Sequence, residues 1–236
     1  MIQMRSRQIT DQLTQLTRLN FVNAYLVRED DGFTLIDTTL GGGAANDLIG
    51  AAEKAGGEIR RIALTHGHGD HAGGLDAIVK RLGPGVEVLL GEPDARVWAG
   101  EKEIDGQKVT GFWKDIETKP DVLLKGGERI ASLEVVASPG HTAGHVAFLD
   151  TRDRSLIAGD VFTAYGRPEV SNHFYWRFPL AFGATVDRSR DLASARVLRA
   201  LDPSRLAAGH GPVAESPTAA MDAAIARSAK ALGEDG

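Results

Sequence analysis

The chain has 236 residues, 42% hydrophobic and 25% charged, fractions ordinary for a soluble globular protein and enough for a core without disulfide staples. It contains no cysteine, which excludes disulfides, thiolate metal sites, zinc fingers, iron–sulfur clusters and a Cys nucleophile. Its net charge of -5 is spread without a basic stripe, so nucleic acid is not an expected partner. No apolar run approaches the ~20 residues that span a bilayer, so no membrane partner is expected either. Residues 1–17 are polar and lack a signal-peptide core, so the expected location is the cytoplasm. No Pro/Ser-rich linker or charge block divides the sequence, so one domain over 1–236 is expected.

Residues 19–27 are apolar and β-prone, and residues 33–37 return as a second strand after the turn Glu29-Asp30-Asp31-Gly32. Three glycines, 41–43, precede a helix over 44–55 that stops at Gly56-Gly57. Their spacing fits neither the dinucleotide nor the P-loop pattern. Residues 59–64 read as a buried strand. A helix follows from about Ala72 to Gly83, with Leu75, Ile78, Val79 and Leu82 at core spacing. Residues 86–90 are a short strand. The stretch 91–120 lacks periodicity and carries Trp98, Phe112 and Trp113, an irregular excursion that could overhang a site or plug the core.

Residues 121–124 and 130–137 read as strands about a Gly126-Gly127 turn, and 145–149 and 155–158 as a hairpin. Residues 161–183 are an aromatic-rich loop. An amphipathic helix is predicted over 186–201, with Ala193, Val197, Ala200 and Leu201 on one face. Residues 205–208 form a last strand, and 217–232 a closing helix with Pro217 at its start. Strands alternating with helices give a mixed α/β (α+β) class.

Three imidazoles and a carboxylate crowd the run at the end of strand 59–64: His66, His68, Asp70 and His71. Neutral imidazole and carboxylate are the donors a borderline cation such as zinc takes. On an extended chain His66 and His68 point the same way, and the intervening glycines let the backbone turn so that Asp70 and His71 face a second position. His141, Asp160 and His210 lie beside glycines at what read as strand ends, so five of the seven histidines belong to this set. His145 is not in the pattern and reads as structural, like Thr142. Asp37 is a candidate to orient a ligand, as an alternative to a turn or capping role.

In these residues the chain resembles the metallo-β-lactamase-fold hydrolases, whose pattern is His-x-His-x-Asp-His followed by separate His, Asp and His. Flanking words match as well: Asn23-Ala24-Tyr25-Leu26-Val27, Leu35-Ile36-Asp37-Thr38, Ser138-Pro139-Gly140-His141-Thr142 and Gly209-His210-Gly211-Pro212. The resemblance implies an αβ/βα four-layer sandwich, two mixed β-sheets flanked by helices. It implies two divalent metal ions, Zn2+ in the first place, with Fe or Mn as alternatives. His66, His68 and His141 would hold one; Asp70, His71 and His210 the other; Asp160 would bridge. The implied chemistry is hydrolysis by a metal-bridging hydroxide attacking a carbonyl, with Asp160 and Asp70 catalytic and Asp70 carrying a proton to the leaving group.

The acidic bridge at Asp160 is similar to that of the glyoxalase II-like thioesterases, the lactonases and the phosphodiesterases, and the first two branches are the closer fit. Only one helix follows His210, unlike the helical glutathione-gripping region of glyoxalase II, and no long nuclease insertion is present. The loop 164–182 offers Tyr165, Arg167, His173 and Trp176 as substrate contacts, and could instead pack or make a homodimer contact. The resemblance leaves open an iron-dependent oxidoreductase of the persulfide dioxygenase kind, a phosphodiesterase, or a binding module with a relic site. The expected partner is a small-molecule substrate: an ester, thioester or lactone.

Overall fold

The computed structural model of the chain describes residues 4–234. Its first half runs β1 (Arg5–Gln8), β2 (Leu13–Arg18), β3 (Val22–Glu29), β4 (Gly32–Ile36), α1 (Ala45–Lys54), β5 (Ile59–Ala63), α2 (Gly69–Ala72), α3 (Leu75–Leu82) and β6 (Glu87–Gly91). The middle holds α4 (Glu92–Trp98), the small hairpin β7 (Glu103–Ile104) and β8 (Gln107–Lys108), and β9 (Val122–Leu124). The second half runs β10 (Arg129–Ile130), β11 (Leu133–Ala137), β12 (Val146–Asp150), β13 (Ser155–Thr163), β14 (Glu169–Val170), α5 (Leu180–Ala184), α6 (Arg188–Ala200), β15 (Arg205–His210), β16 (Ala214–Glu215) and α7 (Thr218–Leu232).

Two mixed sheets result. The first has the order β1-β2-β3-β4-β5-β6-β9, antiparallel up to β4 and parallel beyond it. The second has the order β10-β11-β12-β13-β15-β16, with only the β13–β15 pair parallel. Alternation along the strands shows how they stack. Ala24 and Leu26 of β3 join Leu48 of α1 and Ile78 of α3 in one core, while Tyr25 and Val27 turn to a second core with Phe148 and Ile157. In β12, Ala147 and Leu149 turn instead to a third core with Leu198 of α6 and Met221 of α7. Side chains two apart share a face of a strand, so three cores separate four layers: helices, sheet, sheet, helices. The predicted αβ/βα sandwich is the observed one. No helix among the described residues is long and apolar enough to cross a membrane.

The structure corrects several boundaries. Strands β1 and β2 occupy a stretch that looked merely polar, because β1 is a fully exposed edge and β2 turns Leu13 and Leu16 to opposite cores. The segments about Gly126-Gly127 do not pair: β9 adds to β6, whereas β10 and β11 open the second sheet. The stretch 91–120, read as irregular, contains α4 and the β7–β8 hairpin. Helix α6 buries Leu192, Ala195 and Leu198, not the predicted Ala193–Val197 face, and Val197 is 50% exposed. Its buried side also carries Asp191 and Ser194, polar residues that mask the stripe in the sequence.

Candidate metal centre

Seven side chains converge between the two sheets at the end where β5 and β15 terminate. His66, His68 and His141 can place one ligand atom each within 4.8 Å of one another, as can His66, His71 and Asp160, and Asp70, His71 and His210. Nδ1 of His68 lies 3.1 Å from Nε2 of His141, and Nε2 of His71 lies 3.4 Å from Nε2 of His210. The Asp160 carboxylate stands between the triads: Oδ2 is 3.6 Å from His141 Nε2 and 3.2 Å from His210 Nε2, and Oδ1 is 3.4 Å from His71 Nε2.

The outward nitrogen of each imidazole is fixed by a neighbour, which settles the nitrogen that faces the centre. Nδ1 of His66 meets the Thr65 hydroxyl at 3.0 Å, and Nε2 of His68 meets the Thr110 carbonyl at 3.3 Å. Nδ1 of His141 meets the Thr185 hydroxyl at 3.0 Å, Nδ1 of His71 the Asp37 carboxylate at 2.8 Å, and Nδ1 of His210 the Phe21 carbonyl at 2.8 Å. Asp37 thus has the orienting role the sequence allowed it. His145 is structural, as expected: its Nε2 accepts the Asp160 backbone N–H at 3.0 Å.

Asp160 was expected at a strand end. It lies within β13 instead, just after Gly159, whose φ of +50° marks an irregularity in the register with β15. A side chain at 159 would come within 2.5 Å of His145 Nε2, so glycine is required both for the bulge and for the imidazole beneath it. The glycines of the first motif have a different reason than a sharp turn. Neither has a positive φ; a Cβ at Gly67 would meet Trp113, and one at Gly69 would meet Phe112, each at 2.6 Å. The aromatics of the excursion therefore overhang the site.

Electrostatics divide the cluster. Burial, reinforced by neighbouring imidazoles, holds His66 and His141 well below the ordinary imidazole range. Burial would lower His71 and His210 too, but Asp160 and Asp70 outweigh it; His71 is held well above its usual range, and His210 is carried up to about 9. His66 and His141 are thus held neutral while Asp160 and Asp70 draw positive charge to their side of the cluster, and among the described residues His66 Nε2 and Asp160 Oδ1 are buried without a hydrogen-bond partner. Those orphaned atoms point inward, and nitrogen and oxygen donors suit divalent zinc, iron or manganese. The residues present fit a pair of divalent ions.

The loop residues proposed for substrate contact are not placed at this centre. Tyr165 donates its hydroxyl to the carbonyls of Asn20 and Phe21, and Arg167 pairs with Glu169 at 2.6 Å. His173 lies 3.5 Å from the same Glu169, and Trp176 is 69% exposed, stacked under Arg177. The reason is Glu169, a buried acid that gathers the loop's basic groups behind the wall. Beside the cluster itself, the cavity over the centre is lined by Phe21, Leu40, Phe112, Phe178, Leu180 and Ala181, among others. Sequence reasoning also passed over Asp94, whose buried carboxylate accepts from the Gly67 and Gly144 amides and the Thr142 hydroxyl, joining the two His-bearing loops. A lone acid in an aperiodic stretch gives no sequence signal of that role.

Comparison with known proteins places these features. The model of the metallo-beta-lactamase superfamily matches residues 17–210. The uncharacterized protein YobT of Bacillus subtilis is 40% identical over 224 residues, covering 93% of this chain and 95% of that protein. A hydroxyacylglutathione hydrolase of Rhodopseudomonas palustris is 31% identical over 150 residues, which cover 61% of this chain and 52% of that enzyme, so the match spans about half of its length. Among solved structures, TTHA1623 in a di-iron-bound form is 28% identical, with a TM-score of 0.64 over 84% of this chain and 91% of that one.

Proposed function

The chain belongs to the metallo-beta-lactamase superfamily, and within it we propose a dinuclear metal-dependent hydrolase that cleaves a carboxylic ester, thioester or lactone. The observation that carries the reading is Asp160, one carboxylate lying within 3.6 Å of an imidazole from each ligand set. His66, His68 and His141 would hold one ion, and Asp70, His71 and His210 the other, with Asp160 shared. Ions so held supply an acidified water as nucleophile and a Lewis acid for the carbonyl oxygen. Zinc is the metal we propose, with iron the alternative supported by the di-iron form of TTHA1623.

The chain's own residues then orient and move protons. Asp37, Thr65, Thr110, Thr185 and the Phe21 carbonyl hold the five imidazoles in fixed tautomers. Asp70 is the most open member of the cluster, with 19% of its side chain exposed, and it faces the cavity. Burial would raise it, but His71 and His210 overcome this and hold it at about 2, so it is ionised at neutral pH. In this reading Asp70 receives the nucleophile's proton and delivers it to the leaving alcohol or thiol. The hydroxyacylglutathione hydrolase relative, whose name is that of a carbonyl hydrolase, supports the reaction class.

The test is turnover of activated esters, thioesters and lactones by zinc-, manganese- and iron-loaded protein, native and with His66→Ala or Asp160→Ala. Both substitutions should abolish hydrolysis. Unchanged turnover in either one, or oxygen consumption by a protein holding a single iron, would contradict the reading.

A further inference from the structure

The cavity over the centre has a volume of about 500 Å3, within the size range of small-molecule sites. Its polar lining consists of His68, Asp70, His141, Asp160 and His210, all members of the cluster itself. Every other lining residue is apolar, and no Lys, Arg, Ser, Thr, Asn, Gln or Tyr is among them. The basic residues of the flanking loops are engaged elsewhere. Lys114 donates to the Gly73 carbonyl, Arg167 pairs with Glu169, and Arg177 and Arg188 cover the rings of Trp176 and Phe182. The apolar wall starts directly against the reacting region: the Phe178 ring lies 4.4 Å from that of His210, and Phe21 meets the same imidazole edge-on at 4.9 Å. Of the lining residues, Phe112 and Leu180 are 57% and 62% exposed, large apolar side chains facing water.

From this wall we infer that the enzyme selects substrates whose acyl part is uncharged and apolar, and discriminates against those with a carboxylate, phosphate or ammonium group on that part. The inference rests on the carbonyl-hydrolase reading and narrows its substrate class. An ionic group placed among Phe21, Leu40, Phe178 and Leu180 loses its hydration and finds no counter-charge, which is strongly unfavourable. A methylene in the same place leaves water, and each one buried is worth a factor of about four in binding, equivalent to ~0.8 kcal/mol.

The experiment measures kcat/KM of the metal-loaded protein on 4-nitrophenyl acetate, butyrate, hexanoate and octanoate, and on the matching monoesters of ω-dicarboxylic acids. The expected result is a rise of about fourfold per methylene until the cavity is filled, with each ω-carboxylate ester at least tenfold below its methyl-ended counterpart. Leu180→Asp, at this exposed lining position, should lower the octanoate-to-acetate ratio at least fivefold. In parallel, affinities of unreactive methyl ketones and of oxo-carboxylates of equal length are followed by ligand-observed NMR. Esters hydrolysed without length preference, or with the carboxylate series favoured, overturn the inference and leave the hydrolase reading standing. Ketones that bind in order of chain length, with no ester turned over, support the apolar cavity and overturn the hydrolase reading instead.

Discussion

Asp37 Oδ2 lies 2.8 Å from His71 Nδ1, and Oδ1 of the same carboxylate accepts the Thr65 backbone N–H at 2.8 Å. The Thr65 hydroxyl donates to Asp37 Oδ2 at 2.9 Å and meets His66 Nδ1. One buried carboxylate at the end of β4 therefore orients a member of each triad. Its backbone sits at a φ of +62°, unusual for a residue with a side chain. Partners of this kind typically change metal affinity 10–100-fold. Asp37→Ala should thus weaken both metal positions by about that factor while the fold survives. A chelator competition titration checks it; loss at only one position would mean that Thr65 does not transmit the orientation.

The two triads give a second expectation, read from metal content. Native protein should take up two equivalents of zinc. His210→Ala should retain one, held by His66, His68 and His141; His141→Ala should retain the other, held by Asp70, His71 and His210. Asp160→Ala should weaken both, because its carboxylate reaches both sides. Elemental analysis after dialysis distinguishes these outcomes, and total loss from either single histidine change would show one cooperative site rather than two.

How far the sequence foretold this centre depends on the kind of constraint. The seven residues of the candidate centre were readable because donor chemistry is tied to residue type and all but His71 lie beside a glycine. Strands β3, β5, β12 and β15 were readable because two-residue alternation or short apolar runs betray burial. The cavity wall was not. Aromatics in 161–183 suggested Tyr165 and Trp176, yet the residues that reach the cavity are Phe178 and its followers, because Glu169 draws Arg167 and His173 the other way. Which side of a loop faces a site is a tertiary property with no period to reveal it. The same holds for Phe21 and Leu40, near neighbours of family-like words but silent in themselves.

Gly111 makes a third prediction. Its φ is +92°, and a Cβ there would come within 2.3 Å of His68 Nε2. Gly111→Ala should therefore both strain the loop and displace the imidazole from the Thr110 carbonyl. Gly100 is the control: its φ is +107°, but a Cβ would meet nothing within 4 Å. Each substitution should cost about 1–2 kcal/mol in backbone strain, read as a lowered midpoint in denaturant. Only Gly111→Ala should also reduce zinc affinity, and equal affinities in the two variants would dissociate the loop from His68.

His145 contributes to the acid limb of the metal-free protein alongside His66 and His141, which burial also lowers. Its Nδ1 meets the Ser138 hydroxyl at 2.9 Å, its Nε2 accepts the Asp160 amide, and its ring stacks on His66 at 5.2 Å. Burial pushes its pKa down to about 3, since a proton on Nε2 would set donor against donor. In the unfolded chain the imidazole titrates near 6.5. Between those values the unfolded state holds the extra proton, so the contribution to stability is complete above pH ~6.5 and is lost as the pH falls toward 3. The loss has an upper slope of ~1.4 kcal/mol per pH unit and sums to about 4 kcal/mol over the window. His145→Gln keeps an acceptor for the Asp160 amide but has no proton to gain. The variant should be less stable at pH 7 and should show a shallower decline from pH 6.5 to 4 in urea unfolding of metal-free protein. Parallel slopes for native protein and variant would mean that His145 is not the group that titrates.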